Sequence, residues 1–388
     1  MKRKVVVFRS KLLPFSETFI KEQVLSYSKW EPVLMGHCLL KNRVNLDDIT
    51  NKIVFDYNDS GVSCFKRKVY KFFNVCPIKD KKIIAQQRAD LIHIHFGVDA
   101  VVNWSTFKQF KKPIVITLHG YDINIKKEWW ASGNEGRHLK RYPERLLEIS
   151  KYNNVYFIAV SKAIKERAIA FGIPPKKISV SYIGIDTFSF KNSMTPFNER
   201  RQILFVGRLV EKKGCEILIN AYAKLHRQHY GYPLKIIGDG PLKHQLETYA
   251  KKLNLNVQFT GVLSKREIIA ELNKTAIFCL PSIHASSGDA EGFGLVLLEA
   301  AACGVPVITS AFGGAEEGVI HGLTGFSFPE KDTNRLSYYL NLLLSDPNLM
   351  ESMGKAGQQF VADNFDLKKC TEELEVIYNS IMEQFFEK

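Results

Sequence analysis

Short apolar runs that alternate with helical patterns constrain the fold of this chain more than any other feature. Ten runs rich in β-branched residues occur, at residues 4–8, 33–36, 91–95, 114–118 and 156–160, and then at 203–206, 234–237, 257–260, 277–280 and 307–309. Runs of this length are typical of strands buried on both faces. Helical patterns lie between them, such as residues 162–171 before Gly172 and residues 216–227. This alternation predicts an α/β fold with parallel sheets wound with helices.

A polar segment separates the two series of runs. Residues 185–200 contain Pro196 and lack apolar periodicity, which indicates a linker. We therefore predict two Rossmann-like domains that face each other across a cleft, residues 1–188 and 201–365, joined by a linker at 189–200. Apolar side chains recur at helical spacing in residues 366–388. That spacing predicts a tail helix that could dock on either domain, including back on the N-terminal one.

Positive charge is concentrated in the first half of the chain. The formal net charge is +14, made of +17 over residues 1–200 and −3 over the remainder. Such asymmetry favours a polyanionic partner, either an anionic membrane surface or nucleic acid, and the alternative is a solvated basic face without a partner. Residues 66–73 and 126–145 mix basic with aromatic side chains, which suits lipid headgroups or single-stranded nucleic acid. No nucleic-acid-binding motif accompanies the charge.

Several classes of protein are disfavoured. The seven cysteines are scattered and form no C-x-x-C pair, which predicts buried cytosolic thiols and neither disulfides nor a zinc site. The longest apolar stretch, residues 295–309, is interrupted by Glu299 and falls short of the roughly 18 residues that a membrane span needs. The apolar part of the N-terminus, residues 5–8, is too short for a secretory signal and is interpreted as a first strand.

In open α/β sheets, ligands bind beyond the carboxyl ends of the strands, and candidate motifs occur there. Residues 207–214 read G-R-x₄-K-G and follow the run at 203–206. Arg208 and Lys213 beside a helix N-terminus predict a diphosphate site, where they would neutralise charge on a leaving group. Two surface cations beside a tight turn are the alternative. Gly238 and Gly240 follow the next run and match only half of a G-x-G-x-x-G fingerprint, so a plain glycine turn is equally open.

A third motif places two glutamates eight residues apart. Glu291 and Glu299 bracket a glycine turn and the start of a helical pattern. Gly292 and Gly294 would let backbone N–H groups approach an anion closely. Glu299 falls within an apolar helical face, where a carboxylate is costly unless it binds something such as a pair of sugar hydroxyls. A buried structural carboxylate is the alternative.

Together these motifs resemble the retaining glycosyltransferases of family 4, which have the GT-B fold. The resemblance covers nearly the whole chain, because further short motifs occur in the order that the family shows, at residues 160–161, 184–186, 259–261, 281–282, 304–306, 313–314 and 322–325. Where many members carry a Gly-Gly turn after the first strand, this chain has Ser16-Glu17-Thr18-Phe19, which resembles a branch known from exopolysaccharide and lipopolysaccharide synthesis. Ser16 is also a residue type that caps helices.

The resemblance implies sugar transfer from a nucleotide diphosphate sugar with retention of configuration, without a metal ion or a cofactor. It implies a donor on the second domain and an acceptor on the first. The implied catalytic residues are His119, Arg208, Lys213 and Glu291. The implied donor-binding residues are Gly207, Gly214, Gly238, Gly240, Gly292, Phe293, Gly294, Leu295 and Glu299. The acceptor-side candidates are Ser16, Glu17, Thr18, His95 and Asp122. His93 precedes His95 on the same predicted strand and shares this role, and packed structural histidines are the alternative for both.

The resemblance also suggests where the protein works. A basic first domain would sit on the inner face of the cell membrane, where polyprenyl-diphosphate-linked glycans are built. The donor would be a UDP-sugar, in preference to GDP, that supplies a hexose or N-acetylhexosamine. Three other functions remain open at this point: a nucleotide-sugar 2-epimerase of GT-B shape, a nucleic-acid-binding protein, and a catalytically silent partner subunit.

Overall fold

The computed structural model describes residues 2–40, 43–55, 77–192, 195–225, 229 and 231–387. The chain divides into two compact units, Met1–Gly184 with Leu367–Lys388, and Ile185–Asp366. The basic and aromatic segment at 66–73 lies outside the described residues, as do Cys64 and Cys76. The other five cysteines are buried, and none of them forms a disulfide with another described residue. None of the described helices is both long and apolar enough to span a bilayer.

Seven described strands of the first unit form one parallel sheet in the order β5-β3-β1-β6-β7-β8-β9. Their bounds are β1 Arg3–Phe8, β3 Trp30–Gly36, β5 Lys52–Val54, β6 Leu91–His95, β7 Ile114–Leu118, β8 Val155–Ala159 and β9 Ile178–Val180. A separate parallel pair consists of β2 Lys11–Leu12 and β4 Cys38–Leu39. Every residue of β6, β7 and β8 is buried, as expected for strands that helices cover on both faces.

The described helices of the first unit lie between these strands, except for a tail helix that follows the second unit. They are α1 Thr18–Ser26, α2 Ile78–Gln86, α3 Gly97–Val102, α4 Trp104–Phe107, α5 Tyr121–Asn124, α6 Lys127–Ser132, α7 Tyr142–Ser150, α8 Lys162–Phe171 and the tail helix α16 Leu367–Phe386. Ser161 caps α8, because its side chain accepts a hydrogen bond from the N–H of Ile164. Left-handed Gly172 ends the same helix, where the sequence predicts it to end.

Six described strands of the second unit form another parallel sheet, in the order β12-β11-β10-β13-β14-β15. Their bounds are β10 Gln202–Val206, β11 Leu234–Ile237, β12 Val257–Gly261, β13 Thr275–Leu280, β14 Val307–Ser310 and β15 Gly325–Phe328. The helices of this unit are α9 Cys215–Tyr222, α10 Lys243–Lys252, α11 Lys265–Leu272, α12 Leu295–Ala302, α13 Gly313–Glu316, α14 Thr333–Ser345 and α15 Pro347–Asn364. Helix α9 ends before the predicted residue 227.

The boundary between the units falls earlier than the predicted residue 188, and the predicted linker at 189–200 is part of the second unit. Ile185 already donates its N–H to the carbonyl of Phe365, at 2.9 Å. Arg200 is fully buried and donates to the carbonyls of Cys303 and Gly304, both at 3.2 Å. These carbonyls end α12, so a cation satisfies the negative end of that helix.

The tail helix packs against the first unit. Leu374, Tyr378, Ile381 and Met382 of α16 belong to the same buried cluster as β1 and α1. The carboxylate of Glu375 is fully buried and accepts hydrogen bonds from the backbone of residues 28–30, at 2.7–3.0 Å, and from the Ser28 hydroxyl. One side chain therefore ties the helix to the turn that precedes β3.

Candidate functional site

Loops that follow β10, β11 and β13 interlock at the carboxyl edge of the second sheet. The N–H of Leu209 donates to the carbonyl of Asp239 at 2.9 Å, which joins the first two loops. The N–H of Ile283 donates to the carbonyl of Lys212 at 2.8 Å, which joins the first loop to the third. The G-R-x₄-K-G turn, the G-D-G-P turn and the loop before Glu291 thus form one continuous surface, as the sequence predicts for ligand-binding loops of parallel sheets.

Two glycines are required because these loops pack backbone against backbone. A Cβ on Gly238 would lie 1.9 Å from the carbonyl oxygen of Gly207, and one on Gly214 would lie 1.9 Å from that of Pro281. Both residues also have positive φ angles, of 140° and 61°. Loop packing is therefore sufficient to explain why glycine stands at these positions, whether or not a donor contacts them.

Lys213 and Glu291 form an ion pair in which Nζ donates to Oε2. Their side chains are only 14% and 11% exposed. Burial acts to raise the pKa of Glu291, but the charges of Lys213 and Lys212 outweigh it and hold this pKa below its usual value. Lys212 pairs with Asp289 at 2.9 Å. The two residues expected to hold the diphosphate and the donor sugar are therefore bonded to each other.

Arg208 lies on the same loop as Lys213 and is exposed. A guanidinium in this position can reach a phosphate without first leaving a buried contact. Arg208 is thus an exposed cation on the same loop as Lys212 and Lys213, which carboxylates hold.

The Glu291–Glu299 motif spans the start of α12, with Glu291 before the helix and Glu299 within it. Gly294, with a φ of 81°, immediately precedes the helix, and Leu295 is its first residue. The ring of Phe293 is buried and lies 5.4 Å from that of Phe365, so only its backbone can face a ligand. Glu299 is partly exposed on the same helix face as Leu295, not within the apolar face that the sequence predicts. The buried face of α12 consists of leucine and alanine residues on its other sides.

In the first unit, the predicted histidines lie together at the carboxyl edge of the sheet. His95 Nδ1 and His119 Nε2 are 3.0 Å apart, and the Phe96 ring lies 4.3 Å from that of His119. Burial lowers the pKa of His95 and of His119 well below the ordinary value, and lowers that of His93 to about 3. All three imidazoles are neutral at pH 7.

Asp122 differs from its expected role on the acceptor side. Its side chain is fully buried and accepts the N–H groups of Gly97, His119 and Gly120 at 2.9–3.1 Å. Burial raises its pKa to about 6, although the backbone N–H groups act in the opposite direction. Asp122 therefore shapes the turn that carries His119, and it is a positioning residue.

The segment at residues 16–18 also differs from expectation. Ser16 is exposed and does not cap α1, which begins at Thr18 with no side-chain cap. Glu17 is buried and accepts two hydrogen bonds from Arg9, at 2.7 and 2.9 Å, and Arg9 also donates to Asp99 at 2.8 Å. Burial acts to lower the pKa of Arg9, but these carboxylates raise it. Arg9 was not predicted; its place directly after the first strand run was the available signal.

No group of three or more His, Cys, Asp or Glu side chains suited to a metal ion occurs in the described ranges. The two units carry separate sets of candidate residues. Arg208, Lys213 and Glu291 lie in the second, and His95, His119, Asp122 and Glu17 lie in the first.

Family models match both units. Residues 186–360 match the model described as glycosyl transferases group 1, and residues 54–188 match the one described as glycosyltransferase family 4. The border between the matched segments agrees with the division of the structure to within a few residues.

Individual proteins show the same similarity. A protein of Salmonella typhimurium assigned to colanic acid biosynthesis, the glycosyltransferase WcaL, is 28% identical over 76% of this chain and 71% of its own length. The amylovoran biosynthesis glycosyltransferase AmsK of Erwinia amylovora is 33% identical over 65% of this chain, and the match spans 60% of AmsK. The crystal structure of Anabaena HepE with UDP-glucose matches with a TM-score of 0.78 at 20% identity, over 97% of this chain and 99% of that one.

Proposed function

Because the chain belongs to the family 4 glycosyltransferases of GT-B fold, we propose that it transfers a hexose or N-acetylhexosamine from a UDP-sugar to a hydroxyl of a lipid-linked glycan, with retention of configuration, in the synthesis of a bacterial surface polysaccharide. The observation that carries this proposal is the ion pair of Lys213 and Glu291 beside exposed Arg208. The names of WcaL and AmsK support the pathway, and the UDP-glucose complex of HepE supports the nucleotide.

The ion pair has a direct role in this proposal. A diphosphate carries more negative charge than a single carboxylate does. When the donor binds, the Lys213 ammonium group would therefore exchange its hydrogen bond to Glu291 for one to a phosphate oxygen. Glu291, still ionised, would then accept hydrogen bonds from hydroxyls of the donor sugar. The pair keeps both groups charged and close to each other before the donor arrives.

Bond cleavage follows from the same charges. As the bond between the anomeric carbon and the phosphate oxygen breaks, negative charge grows on the diphosphate, and Arg208 and Lys213 stabilise it. The acceptor hydroxyl attacks from the face that the diphosphate leaves and gives its proton to a departing phosphate oxygen, which retains the configuration. Two cationic side chains supply the charge that a divalent metal ion supplies in other transferases, so the proposal requires no metal and no cofactor.

A thermal-shift panel of UDP-, GDP- and ADP-sugars tests the donor assignment. A ligand that binds only the folded state raises the melting temperature, and at 100 times Kd it stabilises that state by about 2.7 kcal/mol. We expect UDP-sugars to give the largest shift and Lys213→Met to reduce it. The absence of a shift with all three classes of nucleotide sugar would contradict the proposal.

We further propose that the first unit attaches to anionic lipid through exposed cations. Lys126, Lys127, Lys140 and Arg141 are exposed, whereas Trp130 is buried and its ring lies 4.4 Å from that of Tyr142. Trp130 is thus part of the core, and the half-buried Trp129 donates its Nε1–H to Glu135 at 3.0 Å. Attachment would therefore be mainly electrostatic, at about 1 kcal/mol for each cation near the surface.

Co-sedimentation with vesicles checks this attachment. We expect binding to vesicles rich in phosphatidylglycerol at low salt, little binding to phosphatidylcholine, and release at high salt. The variant Lys126→Glu/Lys127→Glu should weaken binding, whereas Lys251→Glu/Lys252→Glu, at exposed positions of the second unit, is the matched control. Equal binding to neutral and anionic vesicles would exclude the electrostatic mechanism.

A further inference from the structure

Three histidines of the first unit form a column of planar rings, here called the histidine column. His93 and His95 are two residues apart on β6 and therefore face the same side of the sheet. The ring centroids of His93 and His95 are 4.3 Å apart, and those of His95 and His119 are 5.2 Å apart. Since His119 is the site residue of this unit, the column connects the site with the interior.

The inner end of the column contacts the tail helix. The hydroxyl of Tyr378, on α16, lies 2.5 Å from His93 Nδ1 and 2.8 Å from the hydroxyl of Tyr27. His93 Nε2 lies 2.6 Å from the hydroxyl of Thr117. Both nitrogens of His93 are thus occupied, so its ring cannot rotate without breaking two hydrogen bonds.

At the outer end of the column, hydrogen bonding restricts the tautomers of His95 and His119. His95 Nδ1 bonds His119 Nε2, whereas His95 Nε2 is buried and has no hydrogen-bond partner among the described residues. A neutral imidazole carries one proton, so the tautomers of the two rings are coupled. If His119 Nε2 were the donor, the proton of His95 would sit on buried Nε2 as an unpaired N–H, and such groups are rare. If His95 Nδ1 is the donor, His119 carries its proton on Nδ1.

We propose that His95 is a positioning residue that holds His119 in the tautomer protonated at Nδ1, and that Tyr378 fixes the column from its inner end through His93. His119 then meets its ligand as a hydrogen-bond donor at Nδ1, which suits a hydroxyl or phosphate oxygen. Only the identity of that ligand rests on the proposed function. The tautomer is a property of the ligand-free protein.

Nitrogen-15 NMR of the full chain, with labelled histidine and no ligand, tests the tautomer. We expect His119 Nδ1 to show the shift of a protonated nitrogen and Nε2 that of an unprotonated one. In His95→Leu, the His119 shifts should become averaged, and kcat/KM should fall by about 10–100-fold because the ring is misplaced. His95→Asn, whose amide can donate near the position of Nδ1, should restore the shifts and most of the activity.

Two tyrosine variants test the inner end. Tyr378→Phe removes the hydroxyl that bonds His93 and keeps the ring, so the His93 and His119 signals should move. Tyr27→Phe removes a hydroxyl that bonds Tyr378 rather than His93. This variant should leave the His119 signals unchanged. The proposal is overturned if wild-type His119 is protonated at Nε2, if His95→Leu leaves its shifts unchanged, or if both tyrosine variants act alike. A protein that transfers no sugar yet shows these shifts would refute the proposed function alone.

Discussion

Replacing Lys213 with methionine should lower kcat/KM by about 10²–10³-fold, the usual loss when one group that stabilises developing charge is removed. Methionine keeps most of the volume and removes the ammonium. Lys212→Met is the matched control, because Lys212 is the adjacent residue, forms its ion pair with Asp289 and acts on Glu291 only through its charge. Steady-state sugar transfer measures both variants. A Lys213→Met enzyme within threefold of the wild type would remove this lysine from the mechanism.

Lys213→Met should also lower the free energy of unfolding, because it breaks the ion pair. Measuring stability as well as activity distinguishes the effect of the substitution on the fold from its effect on catalysis. Lys213→Met leaves the buried Glu291 carboxylate without its partner, which should destabilise the protein by about 1–3 kcal/mol. The double variant Lys213→Met/Glu291→Gln removes both charges, so it should regain much of the stability and none of the activity. Urea unfolding gives the free energies. Parallel recovery of both properties would show that the pair serves only the fold.

Replacing Glu375 with alanine should destabilise the first unit by about 3–5 kcal/mol. This carboxylate is fully buried and accepts from three backbone N–H groups and one hydroxyl, and its removal leaves those donors unsatisfied. The expected result is an earlier unfolding transition of the unit that contains α16, seen by urea unfolding and by faster amide exchange near Trp30.

The control for this prediction lies on the same helix. Glu373 is exposed, so Glu373→Ala should change the unfolding free energy by no more than about 0.5 kcal/mol. If Glu375→Ala behaved in the same way, the carboxylate would not be what fastens α16 to the turn before β3.

All ten strands predicted from the sequence form, because β-branched residues favour strands. Most of them are buried, but β12 is an edge strand in which no residue is buried. The predicted runs do not include five of the described strands, which are β2, β4, β5, β9 and β15. All five are short, with two to four residues, and β5, β9 and β15 sit at sheet edges. Serine interrupts β9 and β15, so neither stands out as an apolar run.

The sequence indicates which turns carry candidate polar side chains, but it does not indicate the partners of those side chains. Lys213 and Glu291 are 78 residues apart, and only the interlocking of loops after different strands makes them an ion pair. Asp122 and Glu17 are acceptor-side candidates in the sequence, yet tertiary contacts bury both. Local sequence indicates where a side chain emerges from a sheet, whereas its hydrogen bonds depend on segments that are distant in the chain.

The return of α16 to the first unit has a consequence for biosynthesis. Leu374 and Tyr378 complete a core whose other members include Val5 and Trp30, and they are translated only after the entire second unit. Domains generally fold in the order in which they leave the ribosome. Here the second unit can fold before the first unit is complete. Until α16 is translated, the first unit has an uncovered apolar face that chaperones can bind.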